Sequence, residues 1–178
     1  RSSSAWLEVL SMDKKLGVYI CSGCGIGESV DTPKLAGVAT REFKAPVCRV
    51  HPFLCGREGV EAIRQDVAAG AANTLVIAAC SPRMKTDAFA MDNSVVRERV
   101  NIREQVTWCH KPQDEDTQML AEDCLRMGIV KAQKAELLEP LSEAISRKLL
   151  VVGGGITGIT AALEAAEAGA EVVLVEKQ

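Results

Sequence analysis

Aromatic side chains are scarce in this 178-residue chain, with three Phe, two Trp and one Tyr making up 3% of it. Positive charge is not in excess either: 21 Lys and Arg stand against 24 Asp and Glu, a formal net charge of −3. A surface that tracks phosphates needs a surplus of Lys and Arg, so these two shortages argue against a nucleic-acid partner. Long apolar runs are missing as well. None approaches the ~20 residues that a membrane-spanning helix requires, and no signal peptide is visible. The 47% of hydrophobic residues still suffices for a core. By size that means one domain, or one domain and a piece of another. Against these scarcities stand seven cysteines. An odd count in a chain of cytosolic character disfavours a disulfide scaffold and favours reduced thiols or metal ligands.

Residues 1–13 read as a leader or an expression remnant, Met12 being the more natural start. Three apolar runs then read as strands: residues 16–20 (LGVYI), 46–51 (PVCRVH) and Thr74–Ala79 (TLVIAA). The third is continuously apolar, as a parallel strand covered on both faces should be. Val60, Ile63 and Val67 recur at helical spacing, with Gly70 at the position of a C-terminal cap. Ser81 and Pro82 predict the start of a further helix, as N-cap and first helical residue. A long helix is expected from about Asp114 to Glu136, with Leu120, Cys124, Met127 and Val130 on its apolar face and Glu115 and Asp116 in the first turn. Strands alternating with helices predict a parallel α/β sheet. A polar connection, placed at 141–147, separates this domain (14–140) from a second unit at 148–178.

The second unit carries the sharpest motif. Lys148–Val152 reads as a strand, Gly153-Gly154-Gly155-Ile156-Thr157-Gly158 as G-x-G-x-x-G, 156–168 as an alanine-rich helix ended by Gly169, and Glu171–Val175 as the next strand. Gly153 permits the tight turn, Gly155 lets the backbone approach a pyrophosphate, and Gly158 lets helix pack on strand. The pyrophosphate sits on the N–H groups that open the helix at Ile156. Glu176 follows the second strand, where it would accept hydrogen bonds from a ribose hydroxyl and repel a 2′-phosphate. The pattern predicts the first βαβ unit of a Rossmann-type domain, without separating FAD from NAD. A single such unit is expected to hold the dinucleotide weakly.

Placing the cysteines on these elements divides them. Cys21 and Cys24 follow the first strand, Cys55 lies just past the second and Cys80 directly follows the third. The C-terminal ends of parallel strands share one edge, where ligands bind, so four thiols far apart in sequence are expected in one place. Cys80 is placed at a helix N-terminus, which favours the thiolate. Four cysteines suit an iron–sulfur cluster or structural zinc; the redox fingerprint that follows favours the cluster. A Cys-x-x-Cys disulfide reductase site is a third option, weakened because CSGCGIG is glycine-rich for a helix start. Cys48 and Cys124 read as small core residues, Cys109 as a spare or substitute ligand, and His51 and His110 as ordinary polar residues. Arg97, Arg99 and Arg103 read either as solvated, ion-paired side chains or as contacts to a neighbouring protein.

GVYICSGCGIG, FLC at 53–55, AACSPR at 78–83, NIREQ at 101–105, LRMGIVKA at 125–132 and the glycine fingerprint with its flanks together resemble the N-terminal part of the heterodisulfide reductase HdrA-type flavoprotein, the A subunit of that enzyme. Within that group the chain looks most similar to the B subunit of the quinone-interacting membrane-bound oxidoreductase complex. The resemblance implies a 4Fe–4S cluster on Cys21, Cys24, Cys55 and Cys80, and FAD on Gly153, Gly155, Ile156, Gly158 and Glu176. It implies electron transfer between these centres and the other subunits of such a complex. Those electrons would link a quinone pool to adenylylsulfate reductase in dissimilatory sulfur metabolism, at a cytoplasmic location tied to the membrane only through partners. Two departures stand out: Cys-x-x-Cys where the A subunit typically has Cys-x-Cys, and Val106 where some relatives carry a cysteine. The rival readings are a flavin-bifurcating A subunit proper and, from another class, a zinc-stabilised docking module without a redox role.

Overall fold

The computed structural model describes residues 13–92, 94–137 and 145–177. The expected leader up to Met12 and residues 141–144 of the expected linker lie outside the described residues. The chain divides into two compact units, one up to Leu138 and one from Glu139.

The first unit is a four-stranded, fully parallel sheet in the order β2-β1-β3-β4. Its strands are β1 (Leu16–Cys21), β2 (Val47–His51), β3 (Thr74–Ala79) and β4 (Val96–Asn101). Every residue of β1 and β3 is buried, as apolar central strands of a parallel sheet must be. The helices are α1 (Ile26–Ser29), α2 (Thr32–Gly37), α3 (Arg57–Ala68) and α4 (Glu115–Lys134), with π-helical turns at Val38–Glu42 and Arg103–Thr107. Asp31 caps α2 through Lys34 N–H, and Gly70 takes the left-handed conformation (φ 66°) that ends α3. The three strands read from the sequence are present to within a residue at their ends.

The structure corrects three expectations. The charged stretch at 97–103 is largely a strand. Val100 of β4 packs under α4, while Arg97 and Arg99, on the other face, reach Phe89, the first through its carbonyl oxygen and the second over its ring at 4.3 Å. Alternating charges masked an edge strand whose core contribution is carried mainly by Val100. Secondly, no helix follows Ser81 and Pro82; residues 82–89 form turns and bends. Arg99 Nη2 binds the carbonyl oxygens of Cys80, Ser81 and Met84 at 3.1, 3.2 and 3.3 Å, and so occupies acceptors that a helix would use itself. Thirdly, α4 buries Thr117, Ala121, Leu125, Gly128, Ile129 and Ala132, leaving Leu120 and Cys124 half-buried and Met127 and Val130 exposed. Its buried stripe is rich in small residues because the helix lies close on the sheet: a Cβ at Gly128 would overlap Val100.

The second unit contains β5 (Lys148–Val152), α5 (Ile156–Glu167) and β6 (Glu171–Val175), with β5 and β6 parallel and in register from Lys148–Glu171 to Val152–Val175. No residue of α5 is buried, and Leu150, Val152, Leu163 and Val173 are exposed.

Candidate functional site: a four-cysteine cavity and a glycine loop

Because all four strands run the same way, their C-terminal ends meet along one edge, and the loops leaving them carry the thiols. Cys21, Cys24, Cys55 and Cys80 line one cavity of about 100 Å³. Its other walls are largely apolar, including Ile26, Phe53, Met84 and Phe89, with Lys85 and Arg103 supplying positive charge. Cys21 and Cys80 are buried, Cys55 is half-buried and Cys24 exposed. Among the described residues, no three or more Cys, His, Asp or Glu side chains stand in an arrangement that would hold a single metal ion.

The first loop is built for close approach. A Cβ at Gly23 would overlap the Pro52 carbonyl oxygen, and would stand 3.8 Å from Cys21 Sγ. Only glycine therefore lets the loop carrying Cys21 and Cys24 lie against the loop carrying Cys55. Cys24 (φ 57°) and Gly25 (φ 88°) both adopt left-handed backbone before the single turn of α1. The loop thus does open a helix, though one of only four residues. For Cys24, a residue with a Cβ, that conformation is strained, and such strain clusters at functional sites.

Electrostatics tie the thiols together. Burial, then the like charge of the Cys21 and Cys80 thiolates, pushes the Cys55 thiol up, with Lys85 working the other way. Cys80 is not at a helix N-terminus as expected; its charge partner is Arg99, whose Nη2 is 3.3 Å from Cys80 Sγ. Burial lowers the Arg99 pKa from its ordinary value, and the Cys80 thiolate opposes that. Arg99 Nε is buried with no hydrogen-bond partner among the described residues. Arg103 forms a 2.6 Å ion pair with Glu104 and lies 4.6 Å over the Trp108 ring. Burial works against the Arg103 charge, but hydrogen bonds to Glu104 and Cys24 raise its pKa overall. Both arginines escaped the sequence reading as site residues, since only the unseen fourth strand brings them to this edge.

The remaining candidates are elsewhere. Cys48 and Cys124 are partly buried against the core, and burial raises both thiols. Cys109 is exposed and its Sγ donates to Glu104 O at 2.8 Å; it is not among the residues lining the cavity. His51 Nδ1 accepts from Phe53 N–H, and His110 Nδ1 faces Val106 O, each at 3.0 Å.

In the second unit the glycines have the requirements that the fingerprint implies. Gly153 is left-handed (φ 107°), and its N–H donates to Val175 O at 2.8 Å. A Cβ at Gly158 would overlap the Gly153 carbonyl oxygen, whereas Gly155, the N-cap of α5, has open space before it. Ile156, in the first turn of α5, is exposed. Glu176 accepts from Gly154 N–H and, at 2.9 Å, from Lys177 N–H. The acid thus lies against the glycine loop, where a bound ribose would meet it.

A family model described as FAD dependent oxidoreductase matches residues 148–178. The chain is 38% identical over 171 residues to the A subunit of the ferredoxin:CoB-CoM heterodisulfide reductase of Methanosarcina mazei, covering 92% of this chain and 22% of that one. It is 36% identical over 173 residues to the second iron-sulfur A subunit of the CoB–CoM heterodisulfide reductase of Methanopyrus kandleri (93% and 26%). It is also 38% identical over 173 residues to a protein of Archaeoglobus profundus described as like the heterodisulfide reductase A subunit (93% and 24%). The chain spans about a quarter of the length of these relatives. Among the described residues, no helix is long and apolar enough to cross a membrane.

Proposed function

The chain is homologous over nearly its whole length to part of the heterodisulfide reductase A subunit, and from this we propose that it belongs to an electron-transfer iron–sulfur flavoprotein, one component of an oxidoreductase. The observation that carries the reading is the convergence of Cys21, Cys24, Cys55 and Cys80 on one cavity, in a chain that also holds the FAD-type glycine loop. The four thiolates would hold a 4Fe–4S cluster. The buried Arg99, lacking a carboxylate partner among the described residues, fits an anionic group of thiolate ligands there. FAD would lie on Gly153, Gly155, Ile156 and Gly158, with Glu176 turned to its ribose. A cluster bound here would exchange single electrons, and a flavin one or two. The protein contributes a dry, largely apolar cavity, fixed charges and a backbone that only glycine permits.

On this reading, residues 14–140 are the iron–sulfur domain, 141–147 the linker and 148–178 the start of the FAD domain. The protein works with other subunits of a heterodisulfide-reductase-like complex in the cytoplasm. Following the Cys-x-x-Cys loop, we assign it to the quinone-linked branch, which passes electrons between a quinone pool and adenylylsulfate reductase in sulfur metabolism. Reconstitution of the intact protein with each partner class tests that branch: electron exchange with a quinone-linked partner supports it, and flavin-based bifurcation would replace it with the heterodisulfide reductase type proper.

Anaerobic purification of the intact protein, with assay of iron, acid-labile sulfide and flavin and an EPR spectrum after reduction, tests the core of the reading. We expect iron, sulfide and flavin together. A colourless, EPR-silent protein carrying one zinc would replace the cluster with a structural metal.

A further inference from the structure

Arg99 presents an unbalanced account of charge. Its guanidinium is largely buried, its Nε has no hydrogen-bond partner, and no carboxylate among the described residues pairs with it. Its Nη2 contacts are three carbonyl oxygens and Cys80 Sγ, the last at 3.3 Å. A buried cation without an anion is strongly disfavoured, so the fold tolerates Arg99 only if negative charge occupies the neighbouring cavity. Arg103 stands differently: it also lines the cavity, but Glu104 takes its charge in a bidentate contact, at 2.6 Å from Nη2 and 3.2 Å from Nε. Glu104 in turn accepts from Ser81 N–H, next to Cys80, at 2.7 Å. One uncompensated cation and one neutralised cation thus flank the same four thiols.

Resting on the cluster reading above, we propose that Arg99, together with the Arg103–Glu104 pair, sets the reduction potential of the group held by Cys21, Cys24, Cys55 and Cys80. Adding one electron to that group forms and breaks no bond and makes its charge more negative by one. The fixed guanidinium beside Cys80 stabilises the reduced state more than the oxidised one, because attraction grows with the charge it faces and burial weakens screening. Arg99 therefore raises the potential. Arg103 raises it less, because Glu104 cancels most of its field. Arg99 is a positioning and tuning residue; the sulfurs alone would hold the iron.

The test is a redox titration of the intact protein with dithionite, followed by EPR. The signal of this site is identified as the one that Cys55→Ser removes. Arg99→Met should shift its midpoint to lower potential at unchanged iron content, and Arg99→Lys should restore most of the shift. Arg103→Met should move it less in the same direction. Glu104→Gln keeps an oxygen for Ser81 N–H but frees the Arg103 charge, and should move the midpoint upward. That variant carries the test by itself if Arg99→Met fails to fold or to load iron. An Arg99→Met midpoint equal to wild type with full iron, or a Glu104→Gln midpoint unchanged or lowered, overturns the inference while leaving the cluster reading intact. The absence of any signal that Cys55→Ser removes would take down both.

Discussion

Asp66 of α3 accepts a hydrogen bond from Tyr19 Oη of β1 at 3.1 Å in the buried core. The same carboxylate takes two bonds from Arg49 of β2, both at 2.6 Å. One acid thus pins together the two strands and the helix whose adjoining loops carry Cys21, Cys24 and Cys55. The Arg49 hydrogen bond is the chief reason that the Asp66 carboxyl titrates below its ordinary range, and Tyr19 adds to it. A lowered folded-state value means stability that is present above the unfolded carboxylate pKa and is lost as pH falls through the folded one.

Asp66→Asn should therefore lower the unfolding free energy at pH 7 by about 2 kcal/mol, the scale of losing charged hydrogen bonds. It should also flatten the loss of stability on acidification below about pH 4, the usual carboxylate range. Urea unfolding across that range checks both. Tyr19→Phe should cost about 1 kcal/mol or more and retain the acid dependence due to Arg49. An acid limb equally steep in Asp66→Asn would show that other carboxylates govern it.

Gly23 and Gly158 give a pair of orthogonal expectations. Each would drive a Cβ into a carbonyl oxygen, of Pro52 and Gly153 respectively. Gly23→Ala should lower iron content and leave flavin; Gly158→Ala should lower flavin and leave iron. Metal and flavin stoichiometries of the two purified proteins decide this, and parallel loss of both in either variant would contradict the separation of sites.

Serine scanning should sort the cysteines as the cavity does. Cys55→Ser and Cys80→Ser should each remove most of the iron. Cys48→Ser and Cys124→Ser should keep the iron and lose a little stability, since both pack against the core. Cys109→Ser should keep iron as well, because it does not line the cavity. Iron loss in Cys109→Ser would make it the substitute ligand that the departure at Val106 leaves room for.

Gly128→Ala should destabilise the first unit by about 1–3 kcal/mol, the usual cost of overpacking, because the added methyl meets Val100 of β4. The double variant Gly128→Ala with Val100→Ala should recover part of that loss in urea unfolding. No recovery would mean that the clash is relieved by the backbone instead.

Much of this architecture was legible without coordinates. β1 and β3 stand out as unbroken apolar runs, since a strand covered on both faces tolerates little else. The glycine loop is legible because backbone crowding leaves its residue types little choice at Gly153 and Gly158. β4 was not legible: an edge strand facing a helix on one side and an irregular segment on the other can carry Arg97, Glu98 and Arg99 in succession. The apolar face of α4 was misplaced for a related reason, since the closest packing selects Gly and Ala over bulkier residues such as Met127.

The sequence by itself determined that the cysteines would meet. Parallel strands alternating with helices deliver Cys21, Cys24, Cys55 and Cys80 to one edge whatever the details of packing. It likewise determined the βαβ unit, from strand, glycine loop, helix, strand and terminal acid. Only the tertiary structure decided which charges face the thiols. Arg99 and Cys80 become neighbours through β3–β4 pairing and through the turns that replace the expected helix after Ser81. Local pattern dictates local structure, but the electrostatic surroundings of a site depend on which side chains the fold leaves without an alternative partner.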